Sequence, residues 1–152
     1  MAELSMVEAL SLALARAMAD DETVLVLGED VGRDGGVFRV TDGLVDRFGS
    51  ERVRDTPLAE AMIAGISVGL AAQHMRPVAE IQFMGFLYAT MEQLVSHATR
   101  MRNRSRGRLS CPLVIRVPFG GGILGLPNRE TKAAGSEITE PAANYRPWGR
   151  QF

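Results

Sequence analysis

Residues 23–27 (TVLVL) constrain the fold most, because this short run is apolar throughout and rich in β-branched side chains. A strand that is apolar on both faces must be covered on both faces, which is typical of a parallel sheet between helices. Gly28 ends the run. Three later runs, around residues 52–54, 77–83 and 112–117, are predicted to be further strands of the same sheet.

Helical patterns precede and separate these strands. Ser5 and Glu8 have the spacing of a capping box, and the apolar residues that follow recur at helical intervals, so a helix is predicted over residues 6–19. A second, short helix is predicted over residues 41–48, with Thr41 as its N-cap.

Two longer helices are predicted in the middle of the chain. Thr56 suits an N-cap and Pro57 suits a first helical turn, so one helix is expected from Leu58 to about Gln73. The apolar series in residues 84–102 follows i, i+3, i+4, i+7 spacing and predicts the other. Alternating strands and helices predict an α/β fold, a parallel sheet flanked by helices.

The 152-residue length suits about one domain. Residues 1–122 carry the α/β pattern, whereas residues 123–152 differ in character, so we expect an incomplete domain followed by a divergent tail. The single cysteine, Cys111, favours a reducing, cytoplasmic location. No apolar run reaches the roughly 20 residues of a membrane span, and the N-terminus does not resemble a secretory signal.

Charge is distributed unevenly along the chain. Residues 1–60 carry a net charge of −7 and residues 61–152 carry +6. Five arginines alternate between Arg100 and Arg108, a pattern that a nucleic-acid-binding protein could use against phosphates. Because the whole chain is nearly neutral, we favour a solvated helix end followed by a turn, and predict no nucleic-acid partner.

No metal site is predicted. His74 and His97 lie far apart without cysteine or carboxylate residues at ligand spacing. Glu29, Asp30 and Asp34 could offer oxygen ligands, but they do not have the spacing of a known calcium loop, so a plain turn is favoured.

Glu60 is the main candidate for a functional residue. It follows a predicted strand at the start of a helix, where the loops of α/β sheets gather ligands. The alternative is a carboxylate that merely complements the positive end of the helix dipole.

An ordered set of motifs gives the chain a specific resemblance. The motifs are LGEDVG (residues 27–32), GGVFR (35–39), DTPLAE (55–60), PVAEIQF (77–83), GF (85–86) and PFGGG (118–122). In this order and spacing they resemble the beta subunits of thiamine-diphosphate-dependent 2-oxo acid dehydrogenases, over residues 4 to about 122. Residues 81–86 are most similar to bacterial pyruvate dehydrogenase, while branched-chain and acetoin relatives remain open.

The resemblance implies a transketolase-like pyrimidine-binding domain with three site residues. Glu60 matches the catalytic glutamate that hydrogen-bonds the aminopyrimidine ring of thiamine diphosphate, and is expected in a dry pocket. Phe86 matches the aromatic side chain that packs on this ring, and Gln82 is expected to line the same pocket. For Phe86, ordinary core packing is the alternative.

The resemblance also implies partners. The diphosphate and magnesium would be held by an alpha subunit in a heterotetramer, and the acyl group would pass to a lipoyl acyltransferase core. Two family features are absent from the sequence: no histidine follows His97, where the family has a His-Ser pair, and residues 123–152 do not resemble the family's second domain. The alternative function is therefore a truncated, non-catalytic chain that only associates with partner subunits.

Overall fold

All four strands run parallel in the computed structural model, which describes residues 4–119. The strands lie in the order β2-β1-β3-β4. Their bounds are Val24–Gly28 for β1, Val53–Asp55 for β2, Arg76–Glu80 for β3 and Val114–Arg116 for β4. Every residue of β1 is buried, as expected for a central strand covered on both faces. The predicted fold class is confirmed.

Helices connect and cover the strands. The α-helices are α1 (Met6–Asp20), α2 (Leu44–Phe48), α3 (Glu60–Ala72) and α4 (Thr99–Arg104). Between α3 and α4 lie a 3-10 helix, Met84–Thr90, and a π-helical segment, Gln93–Ala98. The predicted capping box at the start of α1 is present, because the Ser5 hydroxyl accepts from the Glu8 amide and the Glu8 carboxylate accepts from the Ser5 amide.

Alternate residues of β1 enter two separate cores, because successive side chains of a strand point to opposite faces. On one face, Val24 and Val26 pack with Met18 of α1 and Leu44 of α2. On the other face, residues including Leu25, Leu27 and Ile63 of α3 form the second core. The sheet is therefore the middle layer of three.

The prediction for the second helix was wrong in its start and its cap. The helix begins at Leu44, after Gly43, and no side chain caps it. The Thr41 hydroxyl is buried and instead donates to the carbonyl of Val31, at 2.7 Å. Thr41 therefore closes the preceding loop and does not cap a helix.

The prediction that α3 begins at Leu58 was also wrong. The helix begins at Glu60 with Ala59 at the N-cap, and the Thr56 hydroxyl caps nothing. The Thr56 amide donates to the carbonyl of Gly28, at 2.9 Å, which continues the strand contact beyond β2. This contact delays the helix until the chain has turned away from the sheet.

Residues 84–102 do not form one α-helix. The 3-10 helix Met84–Thr90 and the π segment Gln93–Ala98 replace most of it, and several of its apolar side chains are exposed, including Tyr88, Met91 and Val95. Spacing alone does not distinguish an i→i+4 ladder from 3-10 or π hydrogen bonding. Strands β3 and β4 are also shorter than predicted.

The basic run lies where it was predicted, at a helix end and the turn after it. Arg100 to Arg104 are on the last turns of α4 and its approach, and Arg106 has a left-handed backbone in the turn. Among the helices of residues 4–119, none has the length and hydropathy needed to cross a bilayer. The expected tail, residues 123–152, lies outside the described residues.

Candidate functional site

The carboxyl edge of the sheet carries the candidate site, because successive connections leave it in opposite directions. β1 leads to α2 on one face, while β2 leads to α3 on the other. In open α/β sheets, ligands bind in the crevice that such a divergence creates. The crevice here lies beside Gly28, at the end of the central strand β1.

The loop between β1 and α2, residues 29–43, covers this edge and is called the β1–α2 loop below. The carboxylate of Asp55, at the end of β2, accepts hydrogen bonds from the amides of Gly32, at 2.6 Å, and Arg33, at 3.1 Å. The ring of Phe38 packs edge-on against Phe83, with centroids 6.0 Å apart. The loop is thus fixed to the ends of two strands.

Glu60 and Glu29 bring two carboxyl groups to the same place. Glu60 is the first residue of α3, and its side chain is half-buried within this chain. Burial raises the pKa of Glu29, and the negative charges of Asp30 and Glu60 raise it further. A carboxyl group whose pKa is raised in this way, such as that of Glu29, can hold or pass a proton, which is the property that acid–base chemistry requires.

Gln82 and Phe86 lie on the segment that follows β3 at the same edge. Gln82 is half-buried, and Phe86 is 36% exposed on the 3-10 helix, which packs against α3. Phe86 contacts Phe83 edge-on, with centroids 5.9 Å apart, so a row of rings joins it to the β1–α2 loop. Within the described part of the chain, neither side chain hydrogen-bonds to Glu60.

A buried ion pair lies beneath the β1–α2 loop. Glu80, the last residue of β3, is 1% exposed, and its Oε2 accepts from Arg116 Nη2 at 2.6 Å and Nε at 3.2 Å. The other oxygen, Oε1, has no hydrogen-bond partner in the described residues. Burial raises the pKa of Glu80, and the neighbouring Arg116 opposes this shift.

The sequence pattern of one protein family, described as the transketolase pyrimidine-binding domain, matches residues 2–128. The chain belongs to this family. The match covers all four strands of the parallel sheet.

Among relatives of this pyrimidine-binding domain, three illustrate the range. The chain is 52% identical over 126 residues to the pyruvate dehydrogenase E1 component subunit beta of Acholeplasma laidlawii, covering 83% of this chain and 38% of the relative. It is 50% identical over 125 residues to the 2-oxoisovalerate dehydrogenase subunit beta of Bacillus subtilis, covering 82% and 38%. It is 56% identical over 120 residues to the 3-methyl-2-oxobutanoate dehydrogenase subunit beta of Mycobacterium tuberculosis, covering 79% and 34%.

These relatives confirm the resemblance to beta subunits of 2-oxo acid dehydrogenases. The chain spans less than two-fifths of the length of each, 38%, 38% and 34%. Pyruvate and branched-chain dehydrogenases are matched at similar identity, so the preference for pyruvate stays a prediction.

Two acidic residues of the pyrimidine-binding domain were missed as site candidates. Glu29 was interpreted as part of a plain turn, and Glu80 was not singled out within the predicted strand of residues 77–83. Glu29 directly follows the glycine that ends β1, so its position was the available signal. Nothing local in the sequence marks Glu80, because its partner is 36 positions away. Among residues 4–119, no three His, Cys, Asp or Glu side chains group to hold a metal ion.

Proposed function

We propose that the chain is the pyrimidine-binding part of the beta subunit of a thiamine-diphosphate-dependent 2-oxo acid dehydrogenase, with pyruvate as substrate. The observation that carries the proposal is Glu60 beginning α3 at the crevice, beside Glu29, in a chain of this family. The roles of Glu60, Gln82 and Phe86 are part of the proposal.

The residues present fit the aminopyrimidine ring of the cofactor. Such a ring is flat and carries nitrogen donors and acceptors, which match an aromatic face, an amide and a carboxyl group. Phe86, Gln82 and Glu60 offer these groups from segments that follow β3 and β2. All three side chains retain exposed surface in this chain alone, so a ligand or partner can reach them.

Within the proposed site, thiamine diphosphate supplies a nucleophilic carbon and an electron sink for decarboxylation. Glu60 holds a proton at its carboxyl group against the ring nitrogen, a task that suits a carboxyl group shielded from water. Burial and the negative charges of Asp30 and Glu60 raise the pKa of Glu29, so the Glu29 carboxyl group can itself hold a proton at this site.

The partners are proposed from the same family. An alpha subunit is expected to hold the diphosphate and magnesium, and a lipoyl acyltransferase core to receive the acyl group. The half-buried state of Glu60 agrees with a site that a second subunit completes, because residues 4–119 do not by themselves form the dry pocket expected for it.

The test is decarboxylation by the chain assembled with an alpha subunit, with Glu60→Gln compared against the parent. We expect the substitution to lower kcat by about 100-fold or more, because proton transfer is lost while shape is kept. Glu22→Gln is the matched control, because Glu22 is exposed in the turn before β1, at the opposite edge of the sheet. Pyruvate and 2-oxoisovalerate are assayed separately to decide the substrate.

Equal rates for Glu60→Gln and the parent would remove Glu60 from the chemistry. A dye that accepts electrons after decarboxylation is the appropriate readout, because it does not depend on acyl transfer. This matters since no histidine follows His97 in the sequence.

The second candidate is association with partner subunits without turnover. Exposed apolar side chains on α1 favour it, notably Met6 at 79% and Leu12 at 57% exposure. A stable complex with the alpha subunit that decarboxylates neither substrate would support this candidate over the first.

A further inference from the structure

Glu80 and Arg116 are paired by the register of the sheet. They are direct partners where β3 and β4 lie side by side, and they point to the same face. Glu80 is 1% exposed, and the Arg116 side chain is 14% exposed, so both charges have lost most of their water. Such a pair is weak evidence for stability, because the cost of desolvation can exceed the attraction.

The β1–α2 loop lies directly against the carboxylate. A Cβ added to Gly36 would lie 3.1 Å from Glu80 Oε1, closer than a side chain normally packs. Gly36 also has a φ of +76°, a conformation that other residues rarely adopt. The glycine therefore lets the loop backbone close over the Oε1 atom that has no hydrogen-bond partner among the described residues.

Hydrogen bonds, chain connectivity and one charge interaction join this pair to the candidate site. The Gly36 amide donates to the carbonyl of Asp30, at 2.8 Å, and Asp30 directly follows Glu29. The negative charge of Glu60 in turn helps to raise the pKa of Glu29. Asp55 holds the loop between these points, through the Gly32 and Arg33 amides.

We propose that Glu80 is a positioning residue: anchored by Arg116, its carboxylate supports Gly36 and fixes the β1–α2 loop so that Glu29 stays beside Glu60. The inference concerns the geometry of the site and rests on the proposed function only for what the site binds. Among the described residues, Glu80 contacts the carboxyl group of neither Glu29 nor Glu60, and it acts through the loop.

Amide hydrogen exchange on the full chain without ligand tests the proposal. Glu80→Gln keeps the shape but removes the charge that holds Arg116. We expect the Gly36 amide to exchange at least 10-fold faster, relative to amides of α1. Arg52→Met is the control, because Arg52 makes hydrogen bonds at the opposite edge of the sheet, to the carbonyls of Met18, Asp21 and Val24.

The comparison is made in urea at concentrations that give both variants the same free energy of unfolding. A merely structural pair would raise exchange equally in Glu80→Gln and Arg52→Met, which would overturn the proposal. If Glu80→Gln does not fold, Arg116→Lys decides. This substitution keeps the positive charge but loses the two-point contact with Glu80, so it should raise the exchange rate of the Gly36 amide several-fold. An unchanged rate relative to the amides of α1 would overturn the proposal.

The titration of Glu29, followed by carbon NMR of its carboxyl group, is the second readout. Its pKa should fall towards the ordinary value in Glu80→Gln, because the loop would leave the buried position beside Glu60. It should not change in Arg52→Met. Neither readout requires cofactor or turnover, so failure here is distinct from failure of the proposed function, which Glu60→Gln decides.

Discussion

The two edges of the sheet treat polar groups differently. At the amino edge, the Arg52 guanidinium donates to the carbonyls of Met18, Asp21 and Val24, at 2.7 to 3.0 Å. The Asp21 carboxylate accepts from both the amide and the hydroxyl of Thr23. The polar groups at the end of α1 and the start of β1 therefore have their hydrogen bonds made.

At the carboxyl edge, by contrast, two buried polar atoms are left without hydrogen-bond partners among the described residues. Thr56 Oγ1 and Glu80 Oε1 are the buried side-chain atoms without hydrogen-bond partners in the described residues. Non-glycine residues with left-handed backbones occur near both edges: Asp30 and Arg39, with φ of 57° and 59°, lie in the β1–α2 loop, and His74 and Arg106, with φ of 69° and 53°, lie on the connections that lead into β3 and β4. Unmet hydrogen bonds of buried groups are expected where a site binds a ligand. Satisfied hydrogen bonds therefore lie at the amino edge, and the proposed site lies at the carboxyl edge.

Arg52→Met should show the largest effect on stability. It removes charged donors from three carbonyl groups while leaving an apolar stem, and hydrogen bonds from a charged group contribute about 1.5 to 3 kcal/mol. We expect the free energy of unfolding to fall by about 3 kcal/mol. Urea unfolding measures this change. A loss of stability no larger than that caused by replacing an exposed arginine, such as Arg16, would show that the hydrogen bonds at the amino edge contribute little.

Gly28→Ala should have the next largest effect, at the carboxyl edge. The new Cβ would lie 2.8 Å from the Glu80 carbonyl and 3.0 Å from Val31 Cγ1. Crowding of this kind costs about 2 kcal/mol, and here it also pushes β1 away from β3. Urea unfolding gives the cost. Gly69→Ala is the control, since nothing lies within 4 Å of its added Cβ, and equal losses would contradict the close approach.

The smallest expected effect is a pH dependence of opposite sign at the two edges. Hydrogen bonds from the Thr23 hydroxyl and amide lower the pKa of Asp21 below 3.8, so its contribution to stability is present above pH 3.8 and lost as pH falls. Burial raises the pKa of Glu80 above 4.5, so its contribution is present below pH 4.5 and lost as pH rises through the raised pKa. The free energy of unfolding, measured from pH 3 to 7, should lose part of its dependence on pH in each variant. Asp21→Asn should reduce the loss of stability as pH falls, and Glu80→Gln should reduce the loss as pH rises. A change of the same sign in both variants would contradict the difference between the two edges.

Local interactions made much of the fold predictable. The capping box of Ser5 and Glu8 depends on hydrogen bonds three residues apart, and the burial of β1 follows from its unbroken apolar run. The start of α3 was missed because Thr56 is held by Gly28, a contact across the sheet that no local pattern contains.

The site was predictable only in part. Glu60 stands out by its position, but the importance of Glu80 depends on the register of β3 with β4 and on Gly36, residues far apart in sequence. The roles of Glu60, Gln82 and Phe86 came from resemblance and stay predictions. The structure adds that Glu29 lies close enough to Glu60 for the charge of Glu60 to raise its pKa, which the turn-like surroundings of Glu29 in the sequence concealed.

The strand order has a consequence for how the chain folds during synthesis. β1 pairs with β2 soon after both have been made, but its other edge pairs with β3, so that Val26 meets Val53 and then Val78. Until residues 76–80 emerge, an apolar strand keeps one row of backbone amides and carbonyls open to other chains. Because long-range parallel pairing forms slowly, the newly made chain passes through a stage prone to aggregation. The early presence of a chaperone should therefore increase its soluble yield.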